Sequence, residues 1–308
     1  MSTAEEELLD ELRPVAFAIA YRMLGSVAEA EDVVQEALLR VHNTLERGER
    51  IDSPRAYAAT VATRLAIDQL RSARVRREIY VGEWLPEPLI ADPRDDPGQH
   101  AEMADSLSLA FLVLLESLSP EQRAVLLLRD VFDYGYDEVA RIVGTSEDNA
   151  RQLAVRARRH VEERRPRFET SREQREELAR RFFAAAEEGD LAGLEALLAD
   201  DVVLHGDGGG KVPAIARPLH GRNRVARTLV AWAGAGARAG GFAMRRVEVN
   251  GQPGALTLDP EGRLLGVMAL EIVEGQVRGV RSIVNPDKLR HVGPVADVRA
   301  FLARGNRS

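Results

Sequence analysis

The spacing of apolar residues changes period along this chain, and that change limits what it can build. Through residue 165 apolar positions recur with helical spacing, as in SVAEAEDVVQEALLRVHNTL, where Ala30, Val33, Val34, Ala37, Leu38, Val41 and Leu45 share one face. From residue 172 two more helical segments lead into a strand and a further helix, GRNRVARTLVAWAG. The remainder alternates with period two: FAMRRVEVN, GALTLDP, RLLGVMALEIVEG and QVRGVRSIVNPDKL. Turn signals at Asn250-Gly251, Pro260-Glu261-Gly262 and Glu274-Gly275 join these segments. The pattern predicts all-α structure for the first half. For the last part, helices followed by a run of antiparallel strands predict α+β.

Start and stop signals sharpen the helices. Ser26 with Glu29 reads as a capping box, and Ser53-Pro54 opens a helix that runs to Glu78. That helix carries six arginines and one acid, Asp68, between Arg55 and Arg77, a local excess of five positive charges. Ser119, Pro120 and Gln122 start another helix. After Tyr136 a short helix with Ala140, a turn at Gly144 and a second helix from about Ser146 form a helix-turn-helix pattern. Ala150 and Leu153 face inward, and Glu147, Asn149, Arg151, Gln152, Arg156, Arg158 and Arg159 face outward. Between the helical parts lies YVGEWLPEPLIADPRDDPGQH, rich in proline and acid and extended in large part, yet holding Trp84, one of two tryptophans.

Composition excludes several classes. The 308 residues contain no cysteine, which removes disulfides, thiolate zinc sites and thiol redox chemistry. The acidic start MSTAEEELLDELRP has no apolar core, and LSLAFLVLLESL is too short to span a bilayer, so a soluble cytoplasmic protein is expected. A net charge of −7 argues against a uniformly basic DNA-coating protein, though local charge matters more. Of 42 basic residues only Lys211 and Lys288 are lysines. Lys211 ends DGGGK, which lacks both the glycine spacing and the hydroxyl of a phosphate loop and reads as a turn after a strand.

Two arginine-bearing segments separated by a linker favour bipartite DNA recognition, through phosphate contacts and through base edges in the major groove. In order, spacing and residue type the chain resembles bacterial sigma factors of the extracytoplasmic-function (ECF) type over residues 5–165. AEDVVQEALLRVH is similar to their polymerase-binding helix, SPRAYAATVATRLAIDQLRSARVRRE to the promoter −10 segment, and residues 118–162 to the −35-reading domain. WLPEP, DGGGK and NPDKL together resemble the ECF41 subgroup, or SigJ type, which carries a C-terminal domain similar to the SnoaL/NTF2-like cone fold.

The resemblance implies a multi-domain protein: two all-α sigma domains, a helical sigma-2 and a helix-turn-helix sigma-4, followed by an α+β cone-shaped SnoaL/NTF2-like domain. The implied boundaries are 1–79, a linker over 80–105, 106–167, 172–291, and a tail over 292–308 whose end ARGNRS reads as loose. The implied function is promoter-specific initiation with core RNA polymerase, controlled by the fused domain. Asp32, Gln35, Glu36 and Leu39 match the polymerase-docking surface, with core packing as the other reading of Leu39. Arg64, Asp68, Arg71, Ser72, Arg74 and Arg76 match the −10 region, where arginines hold single-stranded DNA by phosphate contact and stacking. Ser146, Asn149, Arg151, Gln152 and Arg156 match the −35-reading face.

Trp84, Leu85, Pro86 and Pro88 of the linker, Asp207, Gly208, Gly209, Gly210 and Lys211 of DGGGK, and Asn285, Pro286, Asp287, Lys288 and Leu289 of NPDKL are expected to meet in one regulatory contact. Expected partners are core RNA polymerase and promoter DNA, with no membrane and no requirement for an anti-sigma factor. No metal or cofactor is expected, and a small-molecule ligand of the C-terminal domain is left open. Two other readings remain: a helix-turn-helix regulator with a ligand-sensing domain, and a cone-fold enzyme using Asp207 with His205 or His220 as an acid–base pair.

Overall fold

The computed structural model describes residues 3–78, 80–91, 106–162 and 171–305, with side chains from residue 5 and excluding those of 73–78. The chain divides into two compact units, Met1–Ile79 with Phe111–Arg165, and Tyr80–Ala110 with Pro166–Ser308. The segment after the third helix thus clusters with the C-terminal part.

In the first unit α1 (Thr3–Leu24), α2 (Val27–Glu46) and α3 (Pro54–Glu78) form a helical bundle. Gly25, at φ 67°, lets the chain turn, and Ser26 caps α2 by accepting from the Glu29 N–H at 3.2 Å. Ala30, Val33, Val34, Ala37 and Val41 bury the inner face of α2. A short helix α4 (Leu109–Leu115) lies at the boundary of the units in sequence. α5 (Pro120–Leu126) opens on a full capping box of Ser119 and Gln122 and continues into a π-helical turn over Leu127–Val131. α6 (Tyr136–Val143) ends at Gly144 in the left-handed conformation, φ 76°, and α7 (Glu147–Glu162) follows. A side chain at 144 would cost about 1–2 kcal/mol in that conformation. Ala140 and Ala150 are buried, and their small size lets α6 and α7 pack closely. Arg123, 3% exposed, donates to the Met23 carbonyl at 2.5 Å and to Glu116 at 2.8 Å. Burial pushes its guanidinium down to about 9, still charged at neutral pH.

In the second unit α8 (Arg172–Glu188) starts at a Ser171–Gln174 capping box and stops at Gly189, φ 71°. Asp190 caps α9 (Leu191–Leu197). Then come β1 (Leu198–Asp207), β2 (Leu219–His220), α10 (Arg222–Arg238), β3 (Ala243–Val249), β4 (Gln252–Leu258), β5 (Leu264–Val273) and β6 (Gln276–Ile283). The sheet order is β2-β1-β6-β5-β4-β3. Asn250-Gly251 and Glu274-Gly275 each have positive φ at both positions, as two-residue hairpin turns require. Phe182, Phe183, Leu194, Val225 and Leu229 of the helices pack on Ala255, Leu270, Ile272 and Val280 of the sheet.

The final run, β3 to β6, forms the expected antiparallel meander, and β1 joins it running parallel to β6. The long connection through α10 and the meander permits a parallel pairing that a tight turn would not. One expectation needs correction: the end of the chain is not a loose tail through residue 305. Asp297 caps α11 (Val298–Arg304), and Val298 and Phe301 are buried against Ala239 and Leu265. ARGNRS begins inside this helix, and its last three residues lie outside the described ones.

Candidate functional sites

The second unit holds a charged cluster at the ends of β1 and β6. Asp207, the last residue of β1, is 0% exposed. Its carboxylate accepts from the Tyr80 hydroxyl (2.5 Å), the Leu85 N–H (2.9 Å), the Gly209 N–H (3.0 Å) and the Lys288 ammonium (2.7 Å). Lys288, 6% exposed, also donates to the Leu85 carbonyl and lies over the Trp84 ring at 4.2 Å and the Tyr80 ring at 5.0 Å. A compact ammonium with three donors meets an oxygen pair and two ring faces, a task a planar guanidinium fits poorly. At the surface Lys211 pairs with Asp287, so the two lysines and two aspartates of DGGGK and NPDKL cross-pair, one couple buried and one exposed.

Local geometry explains the glycines. Gly209 and Gly210 have φ of 58° and 70°. A Cβ on Gly209 would lie 2.3 Å from the Asn285 amide nitrogen, and one on Gly210 would lie 2.9 Å from Cβ of Val81. Gly208 is buried, and its carbonyl accepts from the Lys211 N–H at 3.0 Å. Asn285 caps the 3-10 turn Pro286–Lys288 by accepting from the Asp287 N–H at 3.1 Å, and donates to the Tyr80 hydroxyl at 2.8 Å. Leu289 closes the turn, fully buried.

Residues 80–91 lie along this unit as an extended strap. Leu85, Pro86 and Pro88 are buried, and Trp84 is half-buried. Ile90 makes an antiparallel bridge to Val249 at the end of edge strand β3. The Ala91 N–H donates to Glu248 O at 3.1 Å, and the Asn250 N–H to Leu89 O at 2.8 Å. Residues 92–105 of the expected linker lie outside the described ones.

Sequence reasoning passed over four participants. Tyr80 joins the Asp207 cluster. Burial first, then its hydrogen bond to Asp207, holds the phenol well above its ordinary range. Glu83 pairs with His205 at 2.7 Å. Asn250, read only as a turn residue, accepts from the Leu89 N–H (2.9 Å) and donates to Leu107 O (3.0 Å). His291 bonds the Pro88 carbonyl at 2.8 Å. Tyr80 alone left a signal, as a second aromatic in a polar linker.

The acid–base pair considered for catalysis is not assembled. Asp207 is enclosed by its four donors, His205 is turned to Glu83, and His220 is exposed on β2.

In the first unit Asp32, Gln35 and Leu39 are exposed on α2, with Glu36 bonded to Arg40 at 2.7 Å. Leu39 is 51% exposed, which removes the core-packing reading. Arg64 and Arg71 of α3 are engaged within the protein. Arg64 donates to the carbonyls of Ile142 (2.9 Å) and Arg141 (2.8 Å), at the end of α6. Arg71 pairs with Glu121 at 2.7 Å and with Asp68 at 3.3 Å. Burial pushes Glu121 up, but the bonds from Arg71, from a backbone N–H and from Ser119, with the charge of Arg71, together outweigh it and hold the carboxyl below its usual range. Ser72 is exposed, and the side chains of Arg74 and Arg76 lie outside the described residues.

On α7, Ser146 caps by accepting from the Asn149 N–H at 3.2 Å, and the Asn149 amide reaches Thr145 at 2.7 Å. Arg151 pairs with Glu147 and stacks over Tyr136 at 4.7 Å. Gln152 and Arg156 are exposed, and between them stands Val155, 62% exposed, an apolar residue on a polar face that sequence reasoning did not single out.

Three family models match the chain: Sigma-70 region 2 over residues 8–76, Sigma-70 region 4 over 108–161, and the SnoaL-like domain over 179–287. The ECF RNA polymerase sigma factor SigJ of Mycobacterium tuberculosis is 37% identical over 287 residues, which cover 91% of each chain. The probable ECF RNA polymerase sigma factor SigI of the same species is 31% identical, covering 88% of this chain and 90% of SigI. The crystal structure of the M. tuberculosis SigJ protein superposes with a TM-score of 0.74 at 36% identity, covering 96% of this chain and 100% of that one.

Proposed function

Because the chain belongs to the ECF sigma factors, we propose that its C-terminal domain sets promoter competence by gripping the strap between the two DNA-reading segments. It is a sigma factor for promoter-specific transcription with a fused SnoaL-like domain. The observation that carries the regulatory reading is the buried Asp207–Lys288 pair closed over Tyr80, Trp84 and Leu85. The strap precedes the helix-turn-helix in sequence, so holding it restricts how far the two DNA-reading segments can separate. Control then comes from a population shift between held and released strap.

The exposed face of Asp32, Gln35, Glu36 and Leu39 is the proposed dock for core polymerase, with Leu39 as its apolar anchor. Arg64, Asp68, Arg71, Ser72, Arg74 and Arg76 are the proposed −10 contacts. Arg64 and Arg71 must leave their carbonyl and carboxylate partners before they can reach DNA. Ser146, Asn149, Arg151, Gln152 and Arg156 are the proposed −35 contacts. Control built into the chain removes the need for an anti-sigma factor. Sigma factors are not enzymes, and the engagement of Asp207 and His205 supports a non-catalytic role for this SnoaL-like domain as well. Its workplace is that of polymerase and promoter, the cytoplasm.

Run-off transcription with purified core polymerase tests the reading. Full-length protein should initiate specifically only with core enzyme, and Lys288→Ala should raise transcript yield severalfold by releasing the strap. Operator-specific binding without core-dependent initiation, or a yield unchanged by Lys288→Ala, would refute it.

A further inference from the structure

Tyr136 opens α6, the first helix of the helix-turn-helix, but its ring serves the second. Two guanidinium groups lie over that ring: Arg151 of α7, 4.7 Å from the centroid, and Arg129 of the π-helical turn, 5.3 Å from it. Both distances allow a cation–π attraction. The two arginines differ in what else holds them. Arg129 donates to Asp133 at 3.1 Å and to the Tyr134 carbonyl at 3.0 Å, so its own turn fixes it. Arg151 pairs with Glu147, one turn earlier on α7, and the two side chains are 55% and 46% exposed. An ion pair so solvated restrains its members weakly. Tyr136, half-buried at the start of the first helix, is the anchor that reaches Arg151 from another element.

We propose that Tyr136 is a positioning residue for promoter reading: its ring holds the Arg151 guanidinium in place for one base pair of the −35 element. The proposal rests on the assignment of Arg151 to the −35 contacts. A long arginine side chain has much rotamer freedom, and a base contact must remove it. A guanidinium already resting on an aromatic ring has lost part of that freedom before DNA arrives. Attraction to a ring face leaves the N–H fork open for a bidentate acceptor, the O6 and N7 of a guanine. Glu147 competes for the same N–H groups, so the ring also sets where Arg151 stays when a base displaces the carboxylate. Tyr136 thus acts on DNA through Arg151, by its ring and not by its hydroxyl.

The test is competition between promoters altered at one −35 base pair at a time, with holoenzyme assembled from full-length protein. Arg151→Ala should lower discrimination at one base pair by about tenfold, which is ~1.4 kcal/mol. Tyr136→Leu should lower it at the same base pair by about threefold and leave the others unchanged. Tyr136→Phe keeps the ring and should discriminate as the wild type does. In an Arg151→Ala background, Tyr136→Leu should remove nothing further. In the free full-length protein, nitrogen relaxation should give the Arg151 Nε–H a higher order parameter than that of Arg156, exposed further along α7. Should Tyr136→Leu not fold, that comparison still decides the proposal. Loss spread over every base pair, a Phe variant as poor as the Leu one, additive losses in the double variant, or an Arg151 as mobile as Arg156 each overturns the positioning role. Arg151→Ala without effect at any base pair overturns the −35 assignment of Arg151 and the positioning with it. Arg151→Ala with its effect beside a silent Tyr136→Leu overturns the positioning alone.

Discussion

Replacing Lys288 by alanine and Lys211 by alanine should separate two ion pairs that look alike in the sequence. Lys211 and Asp287 have side chains 53% and 41% exposed. A pair so solvated contributes about 0–1 kcal/mol. Lys288 and Asp207 have side chains 7% and 0% exposed. Removing one member of a buried pair leaves the other charge without its partner, at a cost of about 3–5 kcal/mol. In Lys288→Ala the Asp207 carboxylate keeps three of its donors, and the Leu85 carbonyl loses its ammonium. For a unit of this size each kcal/mol moves the midpoint by roughly 2–4 °C. Lys288→Ala should therefore lower the calorimetric transition of the second unit by roughly 6–20 °C, and Lys211→Ala by less than about 4 °C. Asp207→Asn combined with Lys288→Met removes both charges and should cost less than the sum of the two single changes, with a coupling of about 2 kcal/mol or more. Equal shifts for the two alanine variants, or additive behaviour in the cycle, would refute a buried pair holding the strap.

Three further outcomes are expected. Glu121→Ala frees Arg71 and should increase permanganate reactivity of the melted −10 region with holoenzyme, whereas Arg71→Ala should decrease it; no difference between them removes Arg71 from promoter opening. Gln152→Ala and Arg156→Ala should each cost about 1–3 kcal/mol in discrimination among −35 sequences, measured by competition with mutated promoters. The raised folded-state phenol of Tyr80 contributes stability that is fully present below the unfolded value of about 10 and is lost as pH climbs toward the folded value. Burial also raises the Tyr134 phenol, so alkaline titration at 295 nm should show fewer early-titrating phenols than in the denatured chain, with Tyr80 among the missing ones, and Tyr80→Phe should leave the early amplitude unchanged.

What the sequence disclosed follows the range of the forces involved. Local chemistry was readable: Ser26, Ser119 and Gly144 mark helix ends through bonds to residues a few positions away, and the Asn250-Gly251 and Glu274-Gly275 turns announce themselves by dipeptide. The meeting of DGGGK, NPDKL and WLPEP came from resemblance, since no local rule ties Leu85 to Lys288. Contacts between distant residues stayed hidden. Tyr80 stands out only as a second aromatic in a polar linker, with nothing to name Asp207 as its partner, and Arg64 reads as a free cation until α6 ends at its guanidinium. The parallel pairing of β1 with β6 left no mark in either strand, because a buried strand reads alike in either direction. Phe301 and Val298 sit in a short segment whose helical period is too brief to stand out before Ala239 and Leu265 cover it.

The strap has a consequence for the order in which the protein is made. Lys288 lies 203 positions after Leu85 and 81 after Asp207. At roughly 5–20 residues per second, a ribosome reaches Lys288 about 10–40 s after Leu85 and about 4–16 s after Asp207. Both DNA-reading segments are complete by residue 162, and β1, complete at residue 207, stays without β6, its parallel neighbour, until residue 283. On the proposed mechanism every newly made chain thus passes through an interval in which its promoter-reading half exists without its restraint. The length of that interval is set by translation speed between codons 162 and 288, so a ribosome stalled there would leave the nascent sigma segments without it.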